Sequence, residues 1–201
     1  MELFRKDADY QAFESILVEA KDKYPMRILA YVIMPNHWHL VLYPYDQGDL
    51  SNFMQWLTLT HTRRWHAHYH TTGYGHAYQG RFKSFPVEED AYFIQLCRYV
   101  ERNPLRAQLF SKAEDWHWSS LWRRLYGTDE QRELLSDWPM PPDKTYLKLV
   151  NSTEPEDSLK TIRNSVYRGA PYGSDSWLRR IVAKLGLEST IKPRGRPKKG
   201  T

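Results

Sequence analysis

Phe13, Ile16, Leu17 and Ala20 fall at i, i+3, i+4 and i+7, which puts four apolar side chains on one helical stripe. Asp7 stands where an N-cap belongs, so the pattern predicts a first helix beginning there. The period then changes. MRILAYVIM alternates before turning continuously apolar and predicts a strand; Pro35 and Asn36 supply turn residues, and HWHLVLYP predicts a second strand. Asp49 opens a second helix with Leu50, Phe53, Met54 and Leu57 at helical spacing. A Gly- and His-rich loop, TTGYGHAYQG, leads into a short predicted strand at RFKSFPV. Asp90 caps a third helix whose apolar face is Phe93, Leu96, Cys97 and Val100, and Pro104 fits its end.

This order, αββαβα, is the ferredoxin-like split βαβ arrangement without its first strand: an α+β fold on an antiparallel sheet. In that fold the absent strand would pair with the HWHLVLYP strand, leaving unpaired backbone groups along one side unless another segment fills the place. Three regions are predicted: a catalytic domain at 1–127, a helical and irregular C-terminal extension at 128–187 that packs on it, and a basic, flexible tail at 188–201. Residues 136–158, rich in proline and acid, read mainly as a surface connection, and Asp175–Leu185 reads as a helix.

Composition changes the picture in two places. Hydrophobic residues make up 41% and aromatic residues 14% of the 201 positions, which suits a packed core rather than disorder. No apolar run is long enough to span a bilayer, MELFRKDADY has no signal-peptide pattern, and the lone Cys97 excludes an internal disulfide framework. A cytoplasmic protein without a membrane partner is expected. Charge is unevenly spread: residues 179–201 hold eight Lys/Arg and one Glu, a net +7 in a chain of +5, so the basic character is C-terminal. Such a tail suits nucleic acid, or serves as a solvated, solubilising end.

Candidate chemistry begins in the second strand. His37 and His39 are two apart and share a face, so both imidazoles can reach one ion or one phosphate while Trp38 points away. On the third helix, Tyr99 lies on the flank of the apolar face, with Gln95 and Asn103 four residues to either side along one edge. A phenol there can act as a nucleophile and an amide oxygen can join an ion; a half-buried aromatic with its hydroxyl in water fits the same pattern. Arg81 and Lys83 alternate on the predicted RFKSF strand and could touch phosphates, or simply be solvated. Trp116, Trp118 and Trp122 could stack on bases, though packing suits most of them better. His66 and His70 would form an i, i+4 metal pair if the second helix continues, but no cysteine or carboxylate completes a zinc site. Arg194-Gly195-Arg196-Pro197 resembles the core of a minor-groove-binding hook.

Taken together, MPNHWHLVL, YQGRFKSFPV, CRYVERNPLRAQL, AEDWHWSSL, VYRGAPYGSDSWLRR and LGLESTIKPRGRPKKG resemble the REP-associated tyrosine transposases, members of the single-tyrosine HUH nucleases. The resemblance covers nearly the whole chain. It implies that His37 and His39 are the metal-binding pair for Mg²⁺ or Mn²⁺, that Tyr99 attacks a DNA phosphate to give a 5′-phosphotyrosine, and that Asn103 holds the place of an amide-type third ligand. Arg81, Lys83, Arg194 and Arg196 would contact DNA, and the substrate would be single-stranded hairpins of the repetitive extragenic palindromic type, bound by a monomer. Relatives begin with an extra strand ahead of the region matching MELF. Two functions follow as expectations: an endonuclease and strand transferase acting on hairpin DNA, or a catalytically idle hairpin-binding protein descended from one.

Overall fold

The computed structural model describes residues 2–73 and 75–192. The first apolar stripe becomes helix α1, Asp7–Lys23, burying Phe13, Ile16, Leu17 and Ala20. Its capping carboxylate is Asp9, not Asp7: Asp9 Oδ2 accepts the N–H groups of Arg5 at 2.8 Å and Lys6 at 3.2 Å. Strands β1, Arg27–Met34, and β2, His37–Tyr43, form an antiparallel two-stranded sheet in the register Val32 to His39 and Met34 to His37. Their environments differ sharply. From Ile28 to Met34 every residue of β1 is buried, whereas β2 is mostly half-buried.

The free edge of β1 is sealed without a third strand. Its outward groups sit on alternate residues. Trp138 Nε1 and Arg124 Nη2 donate to the Leu29 carbonyl at 2.6 and 2.9 Å. The Ser120 hydroxyl accepts the Tyr31 N–H at 2.9 Å and lies 3.1 Å from the Tyr31 carbonyl. Ile33 donates to the Trp118 carbonyl at 2.9 Å, and the Trp116 indole donates to Ile33 at 2.9 Å. Each bond satisfies a main-chain group that burial would otherwise leave orphaned. The filling segment therefore covers β1. Strand β2 pairs with β1 alone, and among the described residues no backbone bond reaches Trp38, Leu40 or Leu42 from any other element.

Helix α2, Asp49–His68, buries Phe53, Met54, Leu57, His61 and Trp65. Helix α3, Ala91–Glu101, starts where Asp90 Oδ1 accepts the Tyr92 N–H at 2.8 Å, and a one-turn helix α4, Asn103–Arg106, follows. After a 3₁₀ turn at Ala113–Asp115 come α5, Ser120–Tyr126, α6, Asp129–Arg132, and α7, Tyr146–Asn151. A fully buried carboxylate ties these together: Glu101 accepts from the Ser120 hydroxyl at 2.6 Å and the Tyr146 hydroxyl at 2.7 Å. Helix α7 lies within the stretch expected to be a surface connection. Tyr146 and Val150, at i and i+4, bury enough apolar surface to fold it inward.

The expected strand at RFKSFPV does not form; Arg81–Pro86 has no regular structure and Val87 makes a single parallel bridge to Tyr172. Pro86 removes a ladder donor, and the free edge of β1 that might have taken a strand is already occupied. The α+β class with an antiparallel sheet stands.

The chain divides into two compact units. One holds the residues up to Phe82 together with Gln95–Ser152, so residues 128–152, grouped with the extension on sequence grounds, belong here. The other holds Lys83–Ile94 and the described chain from Thr153. In it, α8, Glu156–Arg168, buries Leu159 and Ile162 and ends at Gly169 with φ 68°. Helix α9, Asp175–Leu185, spans the expected residues, and α10, Glu188–Ile191, follows. Glu88 accepts the Ser174 N–H at 2.6 Å, and the Glu88 N–H donates to Tyr172 at 3.0 Å. Arg194 and Arg196 lie outside the described residues. No helix among the described residues is long and apolar enough to cross a membrane.

Candidate active site

Alternation along β2 sends Trp38 to one face of the sheet and the two histidines to the other. Trp38 lies against Phe13 of α1, ring centroids 5.7 Å apart, and its indole donates to the Tyr78 hydroxyl at 3.0 Å. On the opposite face the His37 and His39 rings meet edge to face at 5.0 Å. His39 in turn meets the Tyr99 ring of α3 at 6.0 Å. Strand alternation and helix register thus bring His37, His39 and Tyr99 together.

The polar atoms of this group are mostly unengaged. His37 Nδ1 bonds Asn36 Oδ1 at 2.6 Å. An amide oxygen only accepts, so Nδ1 carries the proton and Nε2 keeps its lone pair. Among the described residues the ring nitrogens of His39 make no hydrogen bond, nor does the Tyr99 hydroxyl. Loss of solvent, followed by repulsion from the His37 ring when it is protonated and from Arg106, pushes the His39 pKa down to about 3. His39 is therefore neutral at physiological pH, the form a metal ion requires. Tyr99 is 8% exposed, more buried than its flanking position predicts.

Asn103 is also buried, and its amide is turned onto the helix end. Nδ2 donates to the carbonyls of Tyr99 at 3.0 Å and Val100 at 3.2 Å, while Oδ1 accepts from Arg106 Nη1 at 3.1 Å. Two imidazoles sharing a face fit a divalent cation whose other positions are filled by phosphate or water oxygens. The Asn103 oxygen keeps one lone pair beside its bond to Arg106.

Arg106 escaped the sequence reading. Its guanidinium carbon lies 4.3 Å from the Tyr99 ring centroid, and Nη2 donates to the Tyr99 carbonyl at 3.3 Å. The available signal was its position three residues after Asn103, seven after Tyr99, which returns it to the same helix edge.

The other candidates have surroundings of their own. Arg81 and Lys83 are exposed on irregular chain, with the Lys83 ammonium 5.1 Å from the Tyr167 ring, so they do not share a strand face. Tyr92 packs its ring against Tyr172 at 5.0 Å. Trp116 and Trp118 are buried around Tyr10, and Trp122 is half-buried. His66 bonds Thr71 at 2.8 Å and His70 has left the helix at φ 52°, so the two do not stack as an i, i+4 pair. Among the described residues, no three or more His, Cys, Asp or Glu side chains gather as a metal site.

The family described as "Transposase IS200 like" matches residues 1–103, a stretch that contains His37, His39 and Tyr99 and ends at Asn103. Comparisons with curated proteins and with solved structures return no match. With half of the chain matched and its histidine pair meeting a helix tyrosine inside that half, the protein belongs to the IS200-like transposase family.

Proposed function

We propose that this transposase belongs to the REP-associated, single-tyrosine HUH branch and is a metal-dependent endonuclease and strand transferase for single-stranded hairpin DNA. The observation that carries the reading is the approach of His39 to Tyr99, 6.0 Å between ring centroids, with the polar atoms of both left without hydrogen bonds among the described residues. The Tyr99 oxygen bonds to phosphorus as the bond to the 3′-oxygen breaks; the phenol proton leaves to solvent and the 3′-oxygen takes one up. The product is a 5′-phosphotyrosine and a free 3′-hydroxyl, and reversal onto another end rejoins DNA. His37 and His39, with Asn103 as third ligand, would hold Mg²⁺ or Mn²⁺, which supplies Lewis-acid polarisation of the non-bridging oxygens. Arg81, Lys83, Arg194 and Arg196 would contact phosphates, the last two in the sequence suited to a narrow minor groove. The protein would act as a monomer in the cytoplasm.

The burial of Tyr99 favours one alternative, a hairpin-binding protein without chemistry. A labelled single-stranded hairpin incubated with Mn²⁺ or Mg²⁺ separates them. An ion-dependent adduct that survives denaturation and disappears in Tyr99→Phe, while hairpin binding persists, supports the transferase. Binding with no adduct from the wild-type chain leaves the idle binder.

A further inference from the structure

We infer that the outer face of helix α9 binds the duplex stem of the DNA hairpin; this rests on the reading of hairpin DNA as the substrate. Apolar side chains at Trp177, Leu178, Ile181, Val182 and Leu185 occupy one side of this helix. The other side carries Ser176, Arg179, Arg180, Ala183 and Lys184, spaced i, i+3, i+4, i+7 and i+8, and all five are exposed. Among the described residues, the side chains of Arg179, Arg180 and Lys184 make no hydrogen bond or ion pair. No acid stands between Ser176 and Leu187. Asp175 and Glu88, whose carboxylate accepts the Ser174 N–H at 2.6 Å, lie at the N-terminal end of the helix, and Glu188 belongs to α10.

Nothing among the described residues balances these charges. Lys184 lies in the last turn, where a cation suits the helix dipole, but Arg179 and Arg180 are mid-helix and gain nothing from it. A face that is merely solvated mixes both signs, whereas a face of one sign attracts a polyanion. Duplex DNA fits this one better than a single strand does. Single-strand readers stack bases on aromatic rings, and this face has none. Its small residues, Ser176 and Ala183, instead let the helix come close to a groove. Eleven residues make a rod about 16 Å long, and a helix enters the major groove of a duplex. The same charge continues along the sequence, since Lys192, Arg194, Arg196, Lys198 and Lys199 follow with no acid among them.

The test compares the full-length chain with a triple variant, Arg179→Gln, Arg180→Gln and Lys184→Gln together. A charge-matched control, Arg63→Gln, Lys144→Gln and Lys148→Gln, removes three exposed cations elsewhere. Fluorescence anisotropy without metal measures affinity for a labelled hairpin, for its stem as a linear duplex and for a single strand of equal length, across a salt series. The α9 variant should bind hairpin and duplex about 30-fold more weakly, and its slope of log affinity against log salt should shrink by about 2.7. The single strand should lose less than about 3-fold, as should every DNA with the control. A duplex loss no greater than the control's would overturn the inference and leave the transferase reading standing. So would an equal loss on the single strand, which would mark a strand-binding face instead. If the triple variant does not fold, Arg180→Gln decides: a slope smaller by about 0.9 supports the contact, and an unchanged slope overturns it. A wild-type chain that binds no hairpin overturns both readings.

Discussion

His61 with Tyr78 and His39 with Tyr99 are the same pair of side-chain types in one compact unit, with opposite fates. In the first pair imidazole and phenol bond each other, His61 Nδ1 to the Tyr78 hydroxyl at 2.5 Å, and that hydroxyl also accepts the Trp38 indole. His61 is 4% exposed and held between Phe4, ring centroids 5.4 Å apart, and Phe13 at 4.9 Å. In the second pair only ring edges and faces meet, and the polar atoms stay available. The sheet separates the two: Trp38 and its neighbours serve the first, and the histidines beside it in sequence serve the second. A histidine committed to a hydrogen bond inside an aromatic core works for stability. One kept neutral with its lone pair open is ready for a ligand.

The sharpest way to break this contrast is to swap the roles. Tyr99→Phe should abolish the covalent DNA adduct yet change stability by less than about 0.5 kcal/mol, since its hydroxyl makes no bond among the described residues. Adduct gels and urea melts on one preparation check both halves, and a large stability loss would place Tyr99 with the structural tyrosines.

Acid should weigh on both histidines, and substitution separates the share of His61. Burial lowers the His61 pKa to about 4, against about 6.5 for an unperturbed imidazole. Between those values the unfolded chain binds a proton that the folded one refuses, so stability falls as pH drops through this window, by about 3 kcal/mol in full. Urea midpoints at pH 7 and pH 4.5 measure the slope, and His61→Gln should reduce it, leaving the part carried by His39. An unchanged slope would show that other groups dominate.

Tyr78→Phe strips the partner from both Trp38 and His61 and should cost about 1–3 kcal/mol while leaving the adduct rate on DNA unaltered. Smallest of all, Tyr146→Phe removes one of two side-chain donors to the buried Glu101 carboxylate and should cost about 1–2 kcal/mol, again without touching chemistry. Thermal melts with parallel adduct assays rank the two variants; a fall in activity for either would blur the division between site and scaffold.

Much of this was legible in the sequence because it rests on period. Helices α1, α2 and α3 and both strands follow from apolar spacing, and two-residue alternation places His37 beside His39. That Tyr99 meets them needed the resemblance, since spacing alone left an ordinary flanking aromatic. The failures share a cause. RFKSFPV reads as a strand by composition, but a strand needs a partner edge, and that edge is held by side chains and main-chain groups of residues 116–138. Burial of Tyr146 and Val150 in a proline-rich stretch likewise depends on a distant carboxylate, Glu101, invisible to local patterns. Arg106 went unnoticed because its contacts with the Tyr99 ring face and carbonyl leave no mark on the sequence.

The way β1 is closed has a consequence for assembly. Sheets extend by templating, one bare rim recruiting the next extended chain, and fibrils grow by the same step. A rim held by two indoles, a hydroxyl, a guanidinium and the Trp118 carbonyl offers an incoming peptide no vacant ladder, because its outward groups are already bonded. Strand β1 is thereby kept from polymerising, even with one strand neighbour among the described residues.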